Sequence, residues 1–118
     1  MDEYMEKRLN DVLGSIHEVE GYFGNKPRQY EDFSNDILRQ RAVERNIEIM
    51  GEAINRILKA NSTFQLSNAR AIVNTRNRVI HGYDSVTPEF LWSLVIKHIP
   101  ALKSEIEQLL KDKEKYDV

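Results

Sequence analysis

The chain has no cysteine, which excludes a disulfide framework, a thiolate metal site and a cysteine nucleophile. It also lacks long apolar runs: nothing approaches the ~18 apolar residues that a membrane span needs. The amino-terminal MDEYMEKRLND is charged and carries no apolar stretch of the secretion-signal kind. The cytoplasm is therefore the expected location, with no membrane partner. Chemical motifs are equally sparse. There is no Gly-rich phosphate loop, no HExxH and no serine elbow. The histidines, His17, His81 and His98, are not spaced with carboxylates as metal ligands are, so neither a metal nor a cofactor is expected. No segment alternates with period two, and no repeat or low-complexity tract is present.

What remains is helical. Hydrophobic residues make up 41% and charged residues 31% of the 118 positions, the balance of a globular chain and not of a disordered one. This length suits a single domain over residues 1–118, with a charged tail from about Lys111. Asp2 reads as an N-cap for a first helix ending at Phe23, before Gly24. Its seam is Met5, Leu9, Val12, Ile16, Val19 and Phe23, in steps of four and three. Asn25-Lys26-Pro27 reads as a loop. Ser34 is the expected N-cap of a long central helix reaching about Lys59. Two apolar stripes mark that helix: Leu38, Ala42, Ile49, Ala53 and Ile57, and beside them Val43, Ile47, Met50, Ile54 and Leu58. Gly51 inside it costs about 1 kcal/mol relative to alanine, and a close helix crossing is the simplest reason for it.

A further helix is expected from near Ser67 to His81, closed by Gly82. Its apolar side is Ala69, Ile72, Val73, Val79 and Ile80, and its polar stripe is Arg70, Asn74, Asn77 and His81. Thr87-Pro88 then supplies an N-cap and a first-turn proline. The last helix carries Trp92, Val95, Ile99, Leu102, Ile106 and Leu109, with Pro100 expected to kink or split it. These readings give an all-α, antiparallel bundle of four to five helices, with apolar seams left over for a dimer.

Charge is unevenly spread. From Ala53 to Tyr83 there is no Asp or Glu, while Arg56, Lys59, Arg70, Arg76 and Arg78 all fall there. That stretch carries +5 against −7 for the remainder of a chain whose net charge is −2. A basic island on an acidic body suits a local phosphate site, unless its cations pair with acids elsewhere in the fold. Glu44, Glu48 and Glu52, interleaved with Arg41, Arg45 and Arg56, read as a solvated or inter-helix salt-bridge ladder.

Arg76-Asn77-Arg78-Val79-Ile80-His81-Gly82-Tyr83 is the candidate site. Histidine gives or takes a proton near neutral pH, and a helix C-terminus favours positive charge. Asn77 lies one turn before His81 and can orient a ring nitrogen or a phosphate. Arg76 offers a planar fork suited to phosphate oxygens. RNA cleavage needs no metal when the ribose 2′-hydroxyl is the nucleophile, because only proton transfer and charge stabilisation are then required. One histidine and one arginine are few for that, and a two-fold dimer would double both. The plainer reading makes Arg76 and His81 ordinary helix-end residues.

The same residues resemble the Arg-x4-His-x-Tyr signature of HepT-like toxins of the HEPN superfamily. Arg41 to Ala53 resembles the family's second-helix block, and the likeness continues through Trp92 to Pro100-Ala101-Leu102. Phe64 and Leu66 stand where the family usually has Pro-Trp. The resemblance implies a dimeric helical bundle and a metal-independent endoribonuclease, the toxin of a toxin–antitoxin pair, with RNA as substrate. It implies that His81 is the acid/base residue, that Arg76 stabilises the phosphate, and that Asn77 and Arg78 support them. It further implies an MNT-type nucleotidyltransferase antitoxin that transfers AMP to Tyr83, where a bulky anion would block and repel RNA. The alternative is a non-catalytic module that docks a nucleotidyltransferase or a nucleotide.

Overall fold

The computed structural model describes residues 1–62, 66, 68–82 and 86–116, with side chains described to residue 112. The described residues form an all-α bundle. Helix α1 (Glu3–Phe23) starts where Asp2 accepts the Met5 N–H at 2.8 Å and stops at Gly24, whose φ is 61°. The expected seam of α1 is buried along its whole length.

A short helix, α2 (Tyr30–Ser34), was not legible as such, and it corrects the expected start of the central helix. Ser34 closes α2, its hydroxyl donating to the Glu31 carbonyl at 2.9 Å. The central helix α3 (Ile37–Ala60) is instead capped by Asp36, which accepts the Arg39 N–H at 3.0 Å. Gln40 joins the two helices. Its buried amide donates to the Phe33 and Ser34 carbonyls at 2.8 and 3.2 Å, satisfying the open end of α2.

Helix α3 is central, as expected: α1, α2, α4 and α5 all pack against it. Its deepest side is Val43, Ile47, Met50, Ile54 and Ile57, a single three-four seam. The expected stripe that begins at Leu38 is buried only in its later half, at Ala53 and Ile57. Leu38 is 83% exposed, because the first turn of α3 stands off the helices that cover the rest. Helix α4 (Ala69–His81) ends in the expected left-handed Gly82, at φ 66°, which donates to the Arg78 and Val79 carbonyls. Its start falls after Asn68, and Ser67 lies outside the described residues. Ile80, expected on the apolar side, is half exposed because it lines a cleft. Thr75 is fully buried, which its donation to the Ala71 carbonyl at 2.8 Å permits.

Thr87 caps α5 (Pro88–Ser93), accepting the Phe90 N–H, with Pro88 in the first turn. Pro100 does not split the last helix. A π-helical turn, Leu94–His98, precedes it, and α6 (Ile99–Tyr116) continues. Proline has no N–H and crowds the carbonyl four residues back, and the wider π turn accommodates both defects. Trp92, Phe23, Tyr30 and Phe33 form an aromatic cluster that ties α1, α2 and α5, with ring centroids 5.5–6.0 Å apart. Tyr30 also donates its hydroxyl to Glu89, which raises the phenol and lowers the carboxyl from their ordinary values.

Gly51 faces α4 at the closest crossing. A Cβ there would lie 2.5 Å from Arg76 Cβ and 2.9 Å from its Cγ. Those atoms are next to the backbone and cannot swing aside, so the clash outweighs alanine's better helix propensity. Gly51→Ala is expected to destabilise the protein by about 1–3 kcal/mol in urea unfolding. A gain in stability would show that the two helices are free to separate.

Candidate functional site

Helices α1, α3 and α4 enclose an open cleft of about 570 Å³. Arg76 enters it from α4, beside the missing side chain of Gly51. One Arg76 amino group donates to Glu52 at 3.1 Å, and the other to Asn77 at 3.2 Å. Its Nε is buried and has no hydrogen-bond partner. Glu52 does double service, because its other oxygen accepts Arg56 at 3.1 Å. Both guanidinium groups, Arg56 more than Arg76, hold the Glu52 carboxyl below the ordinary glutamate range.

The ladder on α3 takes both expected forms. Arg41–Glu44 and Arg45–Glu48 are pairs within the helix, at 2.9 and 3.2 Å. Glu52 pairs with Arg56 within α3 and also bridges to Arg76 of α4. The basic island divides in the same way. Arg56 and Arg76 share Glu52, Arg78 lies over the Phe90 ring at 5.1 Å, and Arg70 and Lys59 are exposed.

His81 is the last residue of α4 and is exposed, as is Asn77 one turn before it. Five residues on a helix rotate the side chain by about 140° and advance it about 7.5 Å, so Arg76 and His81 leave α4 on different sides. The structure brings Arg76 to Asn77 and Glu52, and His81 is not among the residues that line the cleft. Tyr83 lies outside the described residues, as does Phe64, while Leu66 is buried in the core.

The other histidines sit away from the cleft. His17 is on the exposed side of α1. His98 Nδ1 lies 3.4 Å from the side-chain oxygen of Asn68, and the Asn68 amide nitrogen donates to Glu105 at 3.0 Å. That chain of contacts fixes the start of α4 against α6. Among the described residues, no group of three or more His, Asp or Glu side chains could hold a metal ion. No helix among them is long and apolar enough to cross a membrane.

Sequence reasoning singled out Arg76 and read Glu52 only as part of a ladder. The signal that could have found Glu52 is its place directly after Gly51, the one glycine in α3.

A family model described as "Ribonuclease HepT-like" matches residues 12–109. The chain is 30% identical over 112 residues to "Putative RNase TTE0752" of Caldanaerobacter subterraneus subsp. tengcongensis, covering 92% of each protein. It is 34% identical over 106 residues to "Probable ribonuclease HepT" of Thermococcus cleftensis, covering 87% of this chain and 93% of that one. No solved structure matches it.

The lowered carboxyl of Glu52 carries a pH signature. A depressed carboxyl contributes stability above the unfolded-state pKa of about 4.3, and the contribution disappears as pH falls through the lower folded value. The melting temperatures of wild type and Glu52→Gln should therefore differ by a constant amount above about pH 5 and converge below about pH 4. A gap that persisted into acid would mean that Glu52 is not the titrating partner of the two arginines.

Proposed function

The chain belongs to the HepT-like ribonuclease family, and from that premise we propose that it is a metal-independent endoribonuclease whose catalytic residues are Arg76 and His81. The observation that carries the reading is the placement of Arg76. It is half-buried in the cleft, fixed against Gly51, with its two amino groups held by Glu52 and Asn77.

In this mechanism the 2′-hydroxyl attacks the adjacent phosphorus and loses its proton. The bond from phosphorus to the 5′-oxygen breaks, and a 2′,3′-cyclic phosphate remains. His81 is the acid/base residue: it accepts the proton that the 2′-hydroxyl loses and gives one to the departing 5′-oxygen. Arg76 stabilises the charge that builds on the phosphate. Asn77 steadies the Arg76 fork, and Arg78 supports the helix end from its place over Phe90.

The divergence of Arg76 and His81 around α4 supports assembly as a homodimer. A two-fold axis beside α4 would set one chain's histidine near the other chain's arginine. The cytoplasm is the proposed location, and an MNT-type nucleotidyltransferase the proposed antitoxin. That partner would transfer AMP to the Tyr83 phenol, two residues beyond His81. The added phosphate would repel RNA and its nucleoside would fill the approach.

The test is incubation of unmodified protein with RNA in excess EDTA. Wild type should leave cyclic-phosphate ends, and His81→Ala should cleave about 10²–10⁴-fold more slowly with the same melting temperature. If neither protein cleaves, with Tyr83 shown by mass spectrometry to be unmodified, the chain is a binding module for its nucleotidyltransferase. Equal cleavage by both would remove His81 from the chemistry.

A further inference from the structure

The cleft holds a second cation whose role the Arg-x4-His reading leaves open. Four arginines line it, and they are not equivalently paired. Arg45 donates to Glu48 at 3.2 Å, and Arg8 donates at 3.2 Å to Asp11, an oxygen that also accepts Lys7 at 3.4 Å. Arg56 and Arg76 share a single carboxylate, one on each oxygen of Glu52, both at 3.1 Å. That end of the cleft therefore carries one uncompensated positive charge, although Glu18 on the α1 wall brings the lining residues as a whole to balance.

Geometry strengthens the point. The two oxygens of a carboxylate are close together, so two guanidinium groups bound one to each are forced side by side. Arg76 is fixed from behind by Gly51, and Glu52 transfers that fixed position to Arg56. Arg56 is half exposed, so its remaining N–H groups are open to the cleft. Two neighbouring guanidinium forks with net positive charge suit consecutive phosphates, or two oxygens of one phosphate.

We propose that Arg56 is a second phosphate-binding residue for the RNA backbone, and that Glu52 is a positioning residue that holds Arg56 and Arg76 in register. The assignment rests on the ribonuclease reading for its substrate. Glu52 is a poor choice if its charge alone mattered, since a carboxylate repels RNA. Its value lies in orienting two forks at once, which a glutamine, with one acceptor oxygen, cannot do.

The test uses the full-length wild type, Arg56→Gln, Glu52→Gln and Glu52→Asp. Cleavage of an RNA oligonucleotide in EDTA gives kcat and KM, and titration of the same sequence in 2′-O-methyl form, which cannot be cleaved, gives binding at several salt concentrations. Arg56→Gln should weaken binding roughly fivefold to tenfold and reduce the slope of log K against log salt by about 0.7, one phosphate contact on a single strand. Glu52→Gln should lower kcat roughly tenfold while binding stays equal or tightens, and Glu52→Asp, which keeps both acceptors, should recover part of the loss.

An unchanged salt slope in Arg56→Gln would overturn the subsite. A higher kcat in Glu52→Gln would overturn the positioning role and make Glu52 a restraint on Arg76. Wild type that binds with an Arg56-dependent slope but never cleaves would sink the ribonuclease reading and leave the phosphate site standing. Wild type that neither binds nor cleaves would sink both.

Discussion

Gly51 and Arg76 meet where α3 crosses α4, and the cleft is built on how closely they approach. With no Cβ on α3, the Arg76 stem lies against the α3 backbone, so the guanidinium emerges at a fixed height beside the next residue, Glu52. Any side chain at position 51 would separate the helices and tilt the arginine out of reach. A mid-helix glycine that local propensity disfavours is thereby offset by tertiary packing. Buried seams on α1 and α3 then hold the third wall in place.

Much of this could be read from the sequence because it is periodic or local. The three-four spacing of α1, the Asp2 and Thr87 caps and the left-handed Gly82 depend on residues within a turn of one another. Gly51 was legible as a crossing because glycine inside a long helix needs a reason. What could not be read depends on contacts distant in sequence. Whether Leu38 or Met50 faces the core is decided by where α1 and α4 lie, since both residues fit an apolar stripe. Helix α2 has too few residues to show a period, and its open end is satisfied by Gln40, a side chain of the next helix.

The candidate site divides along the same line. Arg76 and His81 stand out because residue type and spacing carry their chemistry. Glu52 does not, because nothing local distinguishes it from Glu44 and Glu48, each of which takes an arginine of its own helix. Only the crossing gives Glu52 a second arginine, from 24 residues away. The seat of Arg76 against Gly51 is likewise invisible to spacing, and it separates Arg76 from an ordinary helix-end cation.

The five-residue step between Arg76 and His81 is informative for the same reason. A step of three or four would place both side chains on one face and favour direct contact between them. Five turns the histidine about 140° away, toward the end of α4 and its exposed side. One helix thus presents a guanidinium into the cleft and an imidazole at an exposed terminus. In the proposed homodimer, that separation would let each helix end reach the other chain's cleft. On the ribonuclease reading, the spacing that looks like a defect in the monomer is what makes two half-sites interdependent, and a single chain would carry the residues of the reaction without their geometry.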